Sequence, residues 1–159
     1  WLKWFRDKFM NEGNFKYSLN ESIYGNNAVK YLLLKYNNSL DSSKLISLTK
    51  EYQNLQVEHI FPQGGENGVQ FNIKSFNFED ESEYGRTIDK IGNLMLLEKE
   101  LNSGSDVSDL TPKEKVHGYL KSHVTDTNRM AGNIDKNGFD NEKLKHRTEL
   151  VINYCISNF

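Results

Sequence analysis

Apolar side chains follow two different periods along the chain, and the changes of period divide it into elements. At residues 1–12, Leu2, Trp4, Phe5, Phe9 and Met10 fall close to helical spacing, and Gly13 ends the stretch. Residues 26–37 place Ala28, Val29, Leu32, Leu33 and Tyr36 on one stripe, with Asn26 or Asn27 available as a cap. Asp41 or Ser42 then opens a short segment containing Leu45, Ile46 and Leu48. At residue 54 the period shortens. Leu55, Val57 and His59 alternate with Gln56, Glu58 and Ile60, which predicts a short strand stopped by Pro62. A loop with Gly64, Gly65 and Gly68 follows, then a polar helix over 79–90. Gly92 breaks that helix, and Asn93-Leu94-Met95-Leu96-Leu97 reads as a second, buried strand.

The C-terminal third is marked by caps. Residues 102–106 form a loop. Thr111-Pro112-Lys113-Glu114 combines a Thr N-cap, Pro at N1 and Glu at N3, so a helix runs from there to about Ser122. Residues 125–138 hold Gly and Asn-Gly breakers and show no clear period. Asp140 caps a final helix over 140–157, with Leu144, Leu150, Val151, Tyr154 and Cys155 facing inward. The expected fold is mainly α with a small embedded β-hairpin, forming a single domain over 1–159.

Composition narrows the class. The 159 residues are 36% hydrophobic and 26% charged, a globular rather than a disordered profile, and are enough for one buried core. The net charge of −2 argues against a dedicated high-affinity DNA-binding module. It leaves room for a nuclease, because local charge at a scissile phosphate outweighs the sum. The single cysteine, Cys155, excludes an internal disulfide and a zinc ribbon, and fits a cytoplasmic location. Apolar runs of about four residues do not span a membrane. The chain starts at Trp1, on a helical pattern, and reads as a fragment of a longer protein.

The unusual residues lie in the strand–loop–strand unit: Glu58-His59-Ile60-Phe61-Pro62-Gln63, then Ile91-Gly92-Asn93, then Asn102-Ser103. Phosphodiester hydrolysis needs a base for water, a cation for the developing charge, and something to hold the base still. His59 is the candidate base. Glu58 and Asn102 offer hard oxygens of the kind that bind Mg²⁺. Asn93 has donor and acceptor atoms with which to tie the loop after His59 to the second strand. One obstacle is geometric: Glu58 and His59 are adjacent and leave a regular strand on opposite faces unless the strand ends or twists at Pro62.

These runs resemble the HNH (His-Me finger) nuclease domain at the C-terminus of GmrSD-type modification-dependent restriction enzymes. The similarity is strong over 57–103 and weaker on to Lys115 and Tyr119. Tyr31-Leu32-Leu33-Leu34-Lys35 and the late Arg147 are similar to flanking helices of that group. The HNH domain of RNA-guided CRISPR nucleases has a similar start and the same step between its two Asn. The resemblance implies a ββα-metal core over about 53–122 surrounded by helices. It implies His59 as general base, Asn93 as the residue positioning it, Glu58 and Asn102 as metal ligands, and Lys115 as a phosphate contact. Glu replaces the Asp of the CRISPR enzymes, and Asn102 in place of a final His points to Mg²⁺ or Mn²⁺ rather than zinc. It further implies DNA as substrate, including modified phage DNA, and an upstream nucleotide-hydrolysing ParB-like domain.

Each residue also has a plain alternative. A lone Glu-His pair is usually a strand end, Asn after Gly is turn chemistry, and Asn-Ser-Gly-Ser is a common loop. His117 reads as a surface histidine, and Glu79, Asp80, Glu81 and Glu83 as a solvated helix start. The order and spacing together favour the enzyme. The rival functions are an RNA- or DNA-cleaving HNH toxin and a degenerate HNH fold that only binds nucleic acid.

Overall fold

The computed structural model describes residues 12–64, 68–102 and 110–159. The helix expected over 1–12, with Trp1 and Trp4, falls almost wholly outside these residues. The first described helix is α1 (Glu12–Asn20), so Gly13 does not end a helix here but sits in a first turn. Next come α2 (Val29–Leu40), a single-turn α3 (Lys50–Gln53) and strand β1 (Leu55–His59). Helix α4 (Glu81–Thr87), a 3-10 turn (Ile91–Asn93) and strand β2 (Leu94–Glu98) follow. The remainder is helical: α5 (Lys99–Asn102), α6 (Pro112–Tyr119), α7 (Thr125–Asn137) and α8 (Asn141–Asn158). Among the described residues the domain is thus mainly α around one antiparallel hairpin, as the alternation at 55–60 predicts. No helix among the described residues is long and apolar enough to cross a membrane.

The hairpin register pairs Leu55 with Glu98, Val57 with Leu96, Glu58 with Met95 and His59 with Leu94. Its two faces bury different cores. Leu55, Leu94 and Leu96 join Val29, Leu32 and Leu33 of α2 and Val151, Ile152 and Cys155 of α8. Met95 and Leu97 join Phe61, Tyr84, Val116 and Tyr119 of α6, and Ala131 and Ile134 of α7. Burial of β2 on both faces explains its unbroken apolar run. Phe61 is the hub of the second core, with edge-on contacts to Phe76, Phe78 and Tyr84.

Caps behave as their chemistry dictates. Thr111 and Glu114 complete a capping box at α6, and the Asp140 carboxylate accepts from Lys143 N at α8. Two expectations need correction. Residues 125–137 form a regular helix: Thr127, Ala131 and Ile134 are fully buried at helical spacing, while Gly132 lies on the exposed side. Gly138, at φ 68°, ends it. Leu150 is 47% exposed, because the buried stripe of α8 runs through Leu144, Arg147, Thr148, Val151, Ile152 and Cys155.

Two contacts between α8 and the 91–94 turn position the hairpin. The buried Arg147 guanidinium donates through Nη1 to Gly92 O at 2.7 Å and Leu94 O at 2.8 Å, and its Nη2 pairs with Asp126. Gly92 packs directly on the helix backbone: a Cβ there would sit 2.5 Å from Thr148 N and 2.6 Å from Leu144 O. Gly92→Ala is therefore expected to destabilise the domain by about 3 kcal/mol, the upper end of overpacking costs. Urea unfolding followed by circular dichroism measures this, and an unchanged midpoint would contradict the packing.

Candidate active site

The site is built from the end of β1, the loop after it, and the turn before β2. Asn93 joins these three. It is fully buried, and its Oδ1 accepts from Phe61 N at 2.8 Å. Its Nδ2 donates to Phe61 O at 2.9 Å and to Ile88 O at 2.7 Å, and its backbone O accepts from Ile60 N at 2.9 Å. One amide side chain thus replaces ladder bonds at the point where Pro62 forbids them, and fixes the chain immediately beyond His59.

His59 is 7% exposed. Its Nε2 lies 2.9 Å from Asp89 Oδ1, which also accepts from Gln63 Nε2 at 3.0 Å. The Tyr24 ring meets the imidazole edge-on, with centroids 4.3 Å apart. Burial lowers the His59 pKa below the ordinary 6.5, which outweighs the opposing pull of the Asp89 hydrogen bond and of the Asp89 and Glu58 charges. The ring is accordingly neutral at neutral pH and able to accept a proton.

Glu58 points the other way, as strand alternation requires. Its Oε1 accepts from Lys115 Nζ at 2.9 Å and from Tyr119 Oη at 2.8 Å, both from α6. Lys115 also donates to His59 O at 2.6 Å. The Glu58 and Lys115 side chains are 8% and 3% exposed, so this is a buried ion pair beneath the hairpin. Burial lowers the Lys115 pKa against the raising effect of Glu58, and raises that of Tyr119 with Glu58's charge adding to the shift. Asn102 ends α5 and is half-buried; its Nδ2 donates to Gln56 Oε1 at 3.1 Å. Ser103 lies outside the described residues.

The structure therefore brings together some of the expected residues and separates others. Asn93 sits against the loop that follows His59. Glu58 and Lys115 share the opposite face of β1, with the Lys115 ammonium turned inward onto Glu58. Asn102 reaches Gln56, two residues before Glu58. The oxygens of Glu58 and Asn102 suit a hard divalent ion chemically. Their arrangement does not fit one as a centre shared with His59: the carboxylate is engaged by an ammonium and a phenol, and the imidazole lies across the hairpin. Among the described residues, no three His, Cys, Asp or Glu side chains converge. The residue that sequence reasoning missed is Asp89, which sits just after α4. The only sequence signal was an acid four residues before Asn93.

A mainly helical domain in which a β-hairpin presents a carboxylate-held imidazole is the class that fold and site define. The chain matches the profile of the family described as GmrSD restriction endonucleases, C-terminal domain, over residues 5–153, and it belongs to that family. It is thus the nuclease module of a restriction endonuclease, a class whose substrate is DNA. No curated protein and no solved structure matched it.

Two outcomes test the electrostatics. Lys115→Met leaves a buried carboxylate without its cation, and is expected to cost about 3 kcal/mol in urea unfolding. Adding Glu58→Gln should recover much of that loss, whereas simple additivity of the two changes would deny the pairing. For His59, the folded pKa lies below the unfolded one. Stability from the neutral ring is full above about pH 6.5 and is lost as pH falls through the folded value. An NMR titration should give a His59 midpoint below 6.5; a higher midpoint would reverse the assignment.

Proposed function

We propose that this domain is an HNH-type endonuclease that hydrolyses DNA phosphodiester bonds with His59 as general base. The observation that carries the proposal is a buried imidazole 2.9 Å from the Asp89 carboxylate at the end of β1, in a loop fixed by Asn93, with burial lowering its pKa. Water gives a proton to the imidazole as its oxygen bonds to phosphorus. The bond from phosphorus to the leaving oxygen breaks, and that oxygen takes a proton from solvent. Asn93 holds the base in place through the backbone of Ile60 and Phe61. Lys115 acts from beneath, through Glu58 and the His59 carbonyl, rather than on phosphate.

In this reading the hairpin and α6 would serve as the two strands and the helix of a ββα finger. The Mg²⁺ or Mn²⁺ expected from the resemblance would bind Glu58 only if that carboxylate gave up Lys115 and Tyr119. At the level of the whole protein, we place the domain in a bacterial antiphage restriction enzyme acting in the cytoplasm. A ParB-like nucleotide-hydrolysing domain upstream would select modified DNA, which suits a nuclease module of net charge −2. The rival, a fold that binds without cleaving, is favoured by the buried Glu58–Lys115 pair.

Plasmid cleavage decides between them. His59→Ala should lose roughly 10²- to 10⁴-fold in rate while its thermal midpoint stays near that of the parent. Full activity in that variant ends the mechanism, and no cleavage by the parent in EDTA, Mg²⁺ or Mn²⁺ favours the binding fold. Cleavage that persists in EDTA removes the ion from the reaction, and offering RNA beside DNA separates the toxin.

A further inference from the structure

The Asp89 carboxylate is the least explained group near His59. As a carboxylate it only accepts hydrogen bonds, and both donors to its Oδ1 come from the segment that carries the base: His59 Nε2 at 2.9 Å and Gln63 Nε2 at 3.0 Å. The fold does not depend on that side chain to hold residue 89. Its backbone O already accepts from Ile23 N at 3.0 Å and Tyr24 N at 3.3 Å, which fixes the residue between α4 and the loop bearing Tyr24. The carboxylate is 27% exposed, and the imidazole it meets 9%. An acceptor at Nε2 has one chemical consequence. The neutral ring must carry its proton there, leaving the lone pair on Nδ1.

We propose that Asp89 is a positioning residue for the nuclease reaction: it takes the Nε2 proton of His59 in a hydrogen bond, so that Nδ1 is the atom that receives the proton of water. This rests on His59 being the base. Gln63 steadies the same oxygen, and Tyr24, edge-on to the ring, limits its rotation about the Cβ–Cγ bond. A buried neutral imidazole with no acceptor would divide itself between two tautomers and two ring orientations, of which one is productive.

The wild-type domain, Asp89→Asn, Asp89→Ala and His59→Ala are compared in plasmid cleavage and by ¹⁵N NMR of the His59 side chain at about pH 8, where a histidine is neutral. Wild type should show the proton on Nε2 and a bare Nδ1. Both Asp89 variants should shift the tautomer balance and lower kcat by roughly 10²- to 10⁴-fold, with KM within about two-fold of wild type. A wild-type ring protonated on Nδ1, or wild-type kcat in Asp89→Ala beside an inactive His59→Ala, overturns the role of Asp89 alone. An active His59→Ala instead overturns the assignment of the base, while the wild-type tautomer still decides whether Asp89 holds the ring.

Discussion

The amide of Asn93, buried to zero exposure, is the tie on which the hairpin end depends. Beyond His59 the chain cannot continue regular pairing, because Pro62 has no N–H to offer. Without another partner, the Phe61 N–H and C=O and the Ile88 C=O would be buried unsatisfied, at a cost of about 1–3 kcal/mol each. Asn93 meets all three with one planar group. It fixes the turn before β2 and the loop after β1 in one stroke, and so sets where the imidazole stands relative to Asp89.

That tie is held in turn by α8. The Arg147 guanidinium occupies carbonyls on both sides of Asn93, and its charge is balanced by Asp126 on α7. Gly92 lets the helix backbone approach where any side chain would collide. A residue 55 positions away in sequence therefore decides the geometry of the turn. A small hairpin is marginal alone in water; here it packs against two cores and its turn is held by Arg147.

Beneath the hairpin, Lys115 and Tyr119 satisfy Glu58 and the His59 carbonyl together. A buried ion pair of this kind adds little net stability against an apolar replacement, yet is costly to break on one side. It gives α6 a single register against β1. The two faces of one short strand thus carry different duties. One presents the imidazole to Asp89, and the other anchors the helix.

Much of this was legible along the chain. Period-2 alternation at 55–60, the capping box at Thr111 and the Asp140 cap are local signals, and local propensities produced the elements they announce. Asn93 was legible as a tie because its amide carries both donor and acceptor atoms, although turn chemistry after Gly92 was the plainer alternative. The helix at 125–137 was not, because Gly132 and Asn137-Gly138 read as breakers and only Ile134 of its buried stripe is a large apolar residue, Thr127 and Ala131 being too polar or too small to register as periodicity. The partners of each charged side chain were also out of reach. Whether Glu58 faces a cation from solvent or the ammonium of Lys115, 57 positions on, depends on how α6 crosses the hairpin. So does the pairing of His59 with Asp89, 30 positions away. Sequence determined the residue types and the local turns, because those follow from short-range sterics and hydrogen bonding. Only the tertiary structure decided which groups meet, because burial removes water as a partner and leaves each charge to whatever the packing brings within reach.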